Sequence, residues 1–187
     1  MVNTPKSAVA IFGGSFDPPH FGHQSIVQKA IEDLEIDKLI VLPAYLNPFK
    51  TSSLASASQR LDWCHILFDK IPDVFVSDYE IKEGKSTRTS QSVKHFNTKF
   101  DVKYLIIGSD NLSTLTKWHQ FEWLNTHITW VIVTRKGHPL NVKGLKGYKT
   151  ITLDAEVSST DIREYKDLHY VDKKIKNSVK EILEGSE

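Results

Sequence analysis

The stretch Ala8–Gln28, AVAIFGGSFDPPHFGHQSIVQ, decides how the rest of the chain is read. Its apolar run, Ala8 to Phe12, has the length of a buried strand, and Gly13 and Gly14 end it where backbone can approach a ligand with no Cβ in the way. Pro18 and Pro19 then stiffen the loop. Pro19 suits a helix opening and not its interior, so a helix carrying His23, Ile26, Val27 and Ala30 is expected to begin near His20. The orphan N–H groups and the positive dipole end of that helix face the glycine turn, which makes the turn an anion site on physical grounds. His20 and His23 share one face of the first helical turn, and Gly22 keeps that face uncrowded. A tight strand–helix turn with the histidine pair packed into the core is the alternative reading of the same residues.

Working outward, 187 residues at 40% hydrophobic content are enough for one core, so a single domain over 1–187 is expected, with the C-terminal helical part packed on it. The 24 basic and 23 acidic residues nearly cancel, which argues against a nucleic-acid or membrane surface and for a small partner. Cys64 is the only cysteine, which excludes an internal disulfide and a multi-cysteine zinc site and fits a reducing compartment. No apolar run approaches bilayer length, and MVNTPKS at the start lacks a signal-peptide core, so a cytoplasmic protein is expected.

Short apolar runs alternate with helical spacing. Strands are expected at Ala8 to Phe12, Lys38 to Leu42, Val74 to Ser77, Lys103 to Ile107 and Ile128 to Thr134, with a weak sixth at Thr150 to Leu153. Helical spacing runs through Gln24 to Leu34, Gln59 to Asp69 and Ser90 to Lys99. This order predicts an α/β fold with a doubly wound, mostly parallel sheet covered on both faces. Ligands then bind at the carboxyl ends of strands, where the glycine turn and the later Gly108-Ser109-Asp110 both fall. The least regular stretches, Pro43 to Ser58 and Lys136 to Lys149, are suited to loops over such a site.

Spacing removes several alternatives. Ser15 stands where a G-x-G-x-x-G fingerprint needs its second glycine, and Gly84-Lys85-Ser86 lacks the earlier glycine of a P-loop, whose place is taken by Tyr79. His20 and His23 have metal-ligand spacing, but no cysteine cluster or carboxylate pattern joins them, so no metal site is assigned. A second constellation is Val157-Ser158-Ser159-Thr160-Asp161-Ile162-Arg163, where S-x-x-D before a helix is a capping box. Its hydroxyls and amides also make an anion cradle, within reach of the planar fork of Arg163.

Gly14-Ser15-Phe16-Asp17-Pro18-Pro19-His20-Phe21-Gly22-His23 resembles the G-x-F-x-P-x-H-x-G-H signature of the nucleotidyltransferase superfamily, at every fixed position. Its partner motif I-S-S-T-x-I-R reads Val157 to Arg163, with Val157 for isoleucine. The middle of the chain resembles the bacterial nicotinate-nucleotide adenylyltransferases: I-G-x-D-x-L reads Ile107 to Leu112, followed by Trp118, and a strand ends in Arg135. The departures are Phe49 before Lys50 where histidine is usual, Arg88 where tyrosine precedes Thr89, and Asp172 in place of proline.

This resemblance implies a Rossmann-like fold. It also implies transfer of the adenylyl group of ATP to nicotinate mononucleotide, releasing pyrophosphate in NAD biosynthesis. It places ATP against Gly13, Gly14, Ser15, Phe16, His20, His23, Gly108, Asp110, Arg135, Ser158, Ser159, Thr160 and Arg163, with His20, His23 and Arg163 serving catalysis. The nicotinate mononucleotide falls to Lys50, Thr89, Trp118 and His119. Mg²⁺ is expected to arrive mainly on the ATP phosphates. The attacking phosphate is already an anion, so the protein must supply alignment and positive charge and needs no general base. Residue by residue, plainer readings stand beside these: Trp118 as core, Asp110 as a helix N-cap and Lys50 as a surface charge. A transferase for another phosphorylated acceptor, such as nicotinamide mononucleotide or phosphopantetheine, and a non-catalytic nucleotide-binding relative are the competing functions.

Overall fold

Along Ala8–Gly14, which forms strand β1, alternate residues serve two different cores: Ala10 and Phe12 pack on one face of the sheet, Val9 and Ile11 on the other. A strand buried on both faces belongs in the middle of a covered sheet, and a computed structural model puts it there. The structure describes residues 5–48, 51–134, 137–153 and 157–185. The other strands are β2 (Lys38–Pro43), β3 (Val74–Val76), β4 (Asp101–Gly108), β5 (Thr129–Val133) and β6 (Tyr148–Ile151). They form one six-stranded sheet in the order β3-β2-β1-β4-β5-β6, and every described pairing is parallel, where the sequence predicted a mostly parallel sheet.

The helices are α1 (Phe21–Asp33), α2 (Ala57–Phe68), the single turn α3 (Tyr79–Lys82), α4 (Thr89–Asn97), α5 (Phe121–His127), α6 (Ser159–Tyr165) and α7 (Lys176–Glu184). The two faces divide them. Ile26 and Val27 of α1, Trp63 and Phe68 of α2, Ile162 of α6 and Val179 and Leu183 of α7 bury against Phe12, Val41, Ile106 and Val133. On the opposite face, Val93 and Phe96 of α4 and Phe121 and Leu124 of α5 bury against Ile11, Leu105, Trp130 and Ile132. The C-terminal helices therefore share a core with the sheet. Among the described residues, no helix is long and apolar enough to cross a membrane.

One local expectation shifts. β6 runs Tyr148–Ile151 and not Thr150 to Leu153: it pairs with Trp130 to Val133, and only Ile151 is buried, so ladder register and not hydropathy sets its ends. The amphipathic spacing of Trp118, Phe121 and Leu124 is not carried by one continuous helix. A 3₁₀ turn at Leu115–Lys117 comes first, and Gln120 at φ 57° breaks the chain before α5.

The order matters for function. Connections leave β1 toward β2 on one side, and the sheet continues through β4 on the other, so a crevice opens beyond the carboxyl ends of β1 and β4.

Candidate active site

That crevice holds a cavity of about 670 Å³. One wall is Gly13, Gly14, Ser15 and Phe16 at the end of β1, with His23 of α1; Gly108 and Asp110 close it beyond β4. Ser158, Ser159 and Thr160 line it from the opposite end of the chain, and Thr89, Trp118 and His119 form its far part. His20 and Arg163 are not among the lining residues. Lys50, its neighbour Phe49 and Arg135 fall outside the described residues.

His20 occupies the N-cap position of α1, as the proline pair predicted. Its backbone N–H donates to Nδ1 of His23 at 3.2 Å. A neutral imidazole that accepts at Nδ1 carries its proton on Nε2, so His23 is set to donate from Nε2. Its ring is wedged in place, with centroids 4.9 Å from Phe16 and 3.8 Å from His20. His20 itself is 2% exposed. Gly22 makes this stack possible, because a Cβ there would come within 3.0 Å of both the His20 ring and Val157 Cγ1.

The second motif meets the first in space. Ser158 caps α6: its Oγ accepts the Asp161 N–H at 3.0 Å and donates to the Asp161 carboxylate at 2.7 Å. The Ser159 hydroxyl donates to the Pro18 carbonyl at 2.9 Å. Arg163 donates to the backbone carbonyl of Asp17 and to the Thr160 hydroxyl, and its guanidinium stands 4.0 Å from the Asp17 carboxylate. Segments more than 140 residues apart are thus tied at the mouth of the glycine turn. The N-cap after β4 falls to Gly108, with Asp110 inside the 3₁₀ turn Ser109–Asn111, so the N-cap reading of Asp110 is corrected.

At the far end, Thr89 opens α4, where the first helical amides have no intrahelical carbonyl to bond. Ser90 hydrogen-bonds His119 Nδ1 at 2.9 Å, which joins this helix start to the residue after Trp118. Trp118 is half-buried against Trp130, and its indole N–H is buried with no acceptor among the described residues. Arg88 and Lys117 also line this part of the cavity.

Among the lining or supporting groups that sequence reasoning missed are Asn47, Glu80 and Arg60. Asn47 lines the cavity from the loop after β2. Glu80 of α3 lines it too, accepting the Ser92 hydroxyl at 2.6 Å. Burial pushes the Glu80 carboxyl up to about 7, with the Ser92 hydrogen bond opposing the shift. No spacing signal marks either residue. Arg60 did leave a signal: it opens the stripe Arg60, Trp63, Cys64, Leu67, Phe68, a charge at a core position of α2.

Known proteins resemble this chain over nearly its whole length. The cytidylyltransferase-like family model matches residues 11–165, which spans both motifs. A protein of Sulfurovum sp. (strain NBC37-1) named as a probable nicotinate-nucleotide adenylyltransferase is 68% identical over 98% of this chain and 97% of its own length. The chain belongs to the cytidylyltransferase-like family, among the nicotinate-nucleotide adenylyltransferases. A relative of the same name from a Nitratiruptor species is 46% identical over 87% of this chain and 91% of its own. The fold is shared more widely. A Plasmodium falciparum nicotinic acid mononucleotide adenylyltransferase, solved in complex with NaAD, superposes with a TM-score of 0.74 at 20% identity, over 96% of this chain and 95% of that one.

Two departures from the nicotinate-nucleotide adenylyltransferase pattern fall among the described residues: Asp172 accepts from Gln24 Nε2 at 3.2 Å, and Arg88 lies at the cavity. Arg88, in the usual tyrosine place, contributes to the cavity wall beside Thr89 and is exposed to solvent.

Proposed function

We propose that this protein transfers the adenylyl group of ATP to nicotinate mononucleotide, forming nicotinate adenine dinucleotide and pyrophosphate, a step of NAD biosynthesis. The observation that carries it is one cavity with two unlike ends at the switch point of the sheet. The end built from Gly13 to Phe16, His23 and Ser158 to Thr160 offers backbone amides, the Thr160 hydroxyl and an imidazole N–H, donors suited to phosphates. The end built from Thr89, Trp118 and His119 offers an aromatic face and a helix start, suited to a flat ring bearing an anion.

In this reading an oxygen of the mononucleotide phosphate attacks the α-phosphorus of ATP. A new P–O bond forms as the bond to the β-phosphate breaks, and pyrophosphate leaves with the electron pair. His23, donating from Nε2, is suited to the oxygens that gain charge in the transition state. His20 holds the His23 ring, and Arg163 and the α6 start bring positive character to the same side. Lys50 and Arg135 are assigned to the acceptor and to ATP by the family pattern alone. Mg²⁺ would enter with ATP, held mainly by phosphates and water and supplying charge neutralisation, because the polar wall presents chiefly donors.

The test is product formation. Purified protein given ATP, Mg²⁺ and nicotinate mononucleotide should release pyrophosphate and yield nicotinate adenine dinucleotide by mass. Turnover of phosphopantetheine instead, or ATP binding with no product from either acceptor, would refute the proposal.

A further inference from the structure

Arg60 belongs to neither motif and is 1% exposed. It projects from the apolar stripe of α2, and its described donors all go to backbone carbonyls. Nε donates to Ala55 at 3.3 Å, Nη1 to Ser15 at 2.6 Å and to Ala44 at 2.7 Å, and Nη2 to Tyr45 at 2.7 Å. Burial lowers its pKa, and the nearby Asp17 carboxylate acts in the opposite sense. Asp17 is 2% exposed, and its two carboxylate oxygens accept the Leu54 and Ala55 N–H groups at 2.8 and 3.0 Å.

Together these groups fasten the segment between β2 and α2 to the glycine turn at both ends. Arg60 grips its start, at Ala44 and Tyr45, and Asp17 grips its end, at Leu54 and Ala55. One nitrogen, Nη1, spans Ser15 and Ala44, both of which line the cavity, and Asn47 and Pro48 continue the lining beyond Ala44. Burying a guanidinium is costly, and an apolar side chain of similar length would pack in the same stripe. A planar fork that reaches several carbonyls at once is what neither an apolar side chain nor an ammonium can offer.

We propose that Arg60, balanced by Asp17, is a positioning residue for the transfer reaction: it fixes the 44–48 wall of the cavity against the glycine turn, and so sets how the two substrates meet. The inference rests on the adenylyl-transfer reading. Misplacement of reacting groups by about 1 Å can cost roughly a hundredfold in rate, so the effect belongs in kcat.

The test compares Arg60→Lys and Arg60→Met with the parent, well below the Tm of each, reading kcat, the KM of each substrate and Tm. In both variants kcat should fall about tenfold to a hundredfold while each KM stays within about threefold. A lowered Tm with parental kcat would mean Arg60 only stabilises the fold, and would overturn the proposal. Hydrogen exchange on the parent needs no variant. The Leu54 and Ala55 amides should exchange as slowly as those of β1, and fast exchange there overturns the clamp even where a variant fails to fold. A parent with no turnover of ATP and nicotinate mononucleotide would sink the adenylyl-transfer reading, and the exchange result would still report on the clamp separately.

Discussion

At the scale of single residues, two groups in the cavity change what it can do through their protons: His23 and Glu80. On the proposed mechanism His23→Ala removes a donor to developing charge, and loss of such a donor typically costs about a hundredfold to a thousandfold in kcat. ATP affinity, measured by calorimetry, should change far less. His20→Ala leaves the backbone hydrogen bond to His23 but removes the stacked ring, so its defect should run in the same direction and be smaller. Turnover within a few-fold of the parent in His23→Ala would make the histidine a packing residue. Glu80 carries a pH signature. Its folded-state pKa lies near 7 against an ordinary 4.5, so its contribution to stability is complete below about 4.5 and is lost as pH rises through about 7. Glu80→Gln keeps an acceptor for Ser92 and cannot ionise. Denaturant melts should show the variant gaining on the parent by up to roughly 3 kcal/mol between acid and mildly alkaline pH. A pH-independent difference would contradict the buried, perturbed carboxyl.

At the scale of elements, the first turn of α1 shows how tightly the motif is packed. Gly22→Ala gains helix propensity of about 1 kcal/mol, yet its Cβ meets the His20 ring and Val157 at 3.0 Å, and overpacking of this kind costs about 1–3 kcal/mol. The two effects nearly offset in stability. Activity is the sharper reading, because the displaced His20 ring bears on His23: kcat should fall at least about tenfold. Parental kcat in a folded Gly22→Ala would show that the stack is slack. The α1 start and the Ser158 cap were legible in the sequence because proline, glycine and serine act through local backbone rules. The ends of β6 and the break at Gln120 were not, since sheet register and a positive φ at a non-glycine residue are set by distant partners. Arg60 lay between these cases: its stripe position was visible, but its carbonyl partners come from loops that only the fold brings together.

At the scale of the whole molecule, the parallel sheet converts motifs at opposite ends of the chain into one site. The places of the strands along the chain and their cover on both faces were readable from apolar runs, because a strand covered on both sides has little alternative; their order in the sheet was not, since it depends on which strands the crossovers bring side by side. The identities at the ring end were less readable, and here the chain departs from its family at Arg88. A pocket that presents donors to a carboxylate leaves them unpaired when the ligand carries a neutral amide, at a cost of at least ~2 kcal/mol, or more than about tenfold in efficiency. The most direct measurement is therefore kcat/KM of the parent protein with ATP and nicotinate mononucleotide against ATP and nicotinamide mononucleotide. The account predicts efficient turnover of the nicotinate form and a preference for it of more than about tenfold. Equal efficiencies would contradict the acceptor assignment, and no pyrophosphate release with either would contradict the transfer itself.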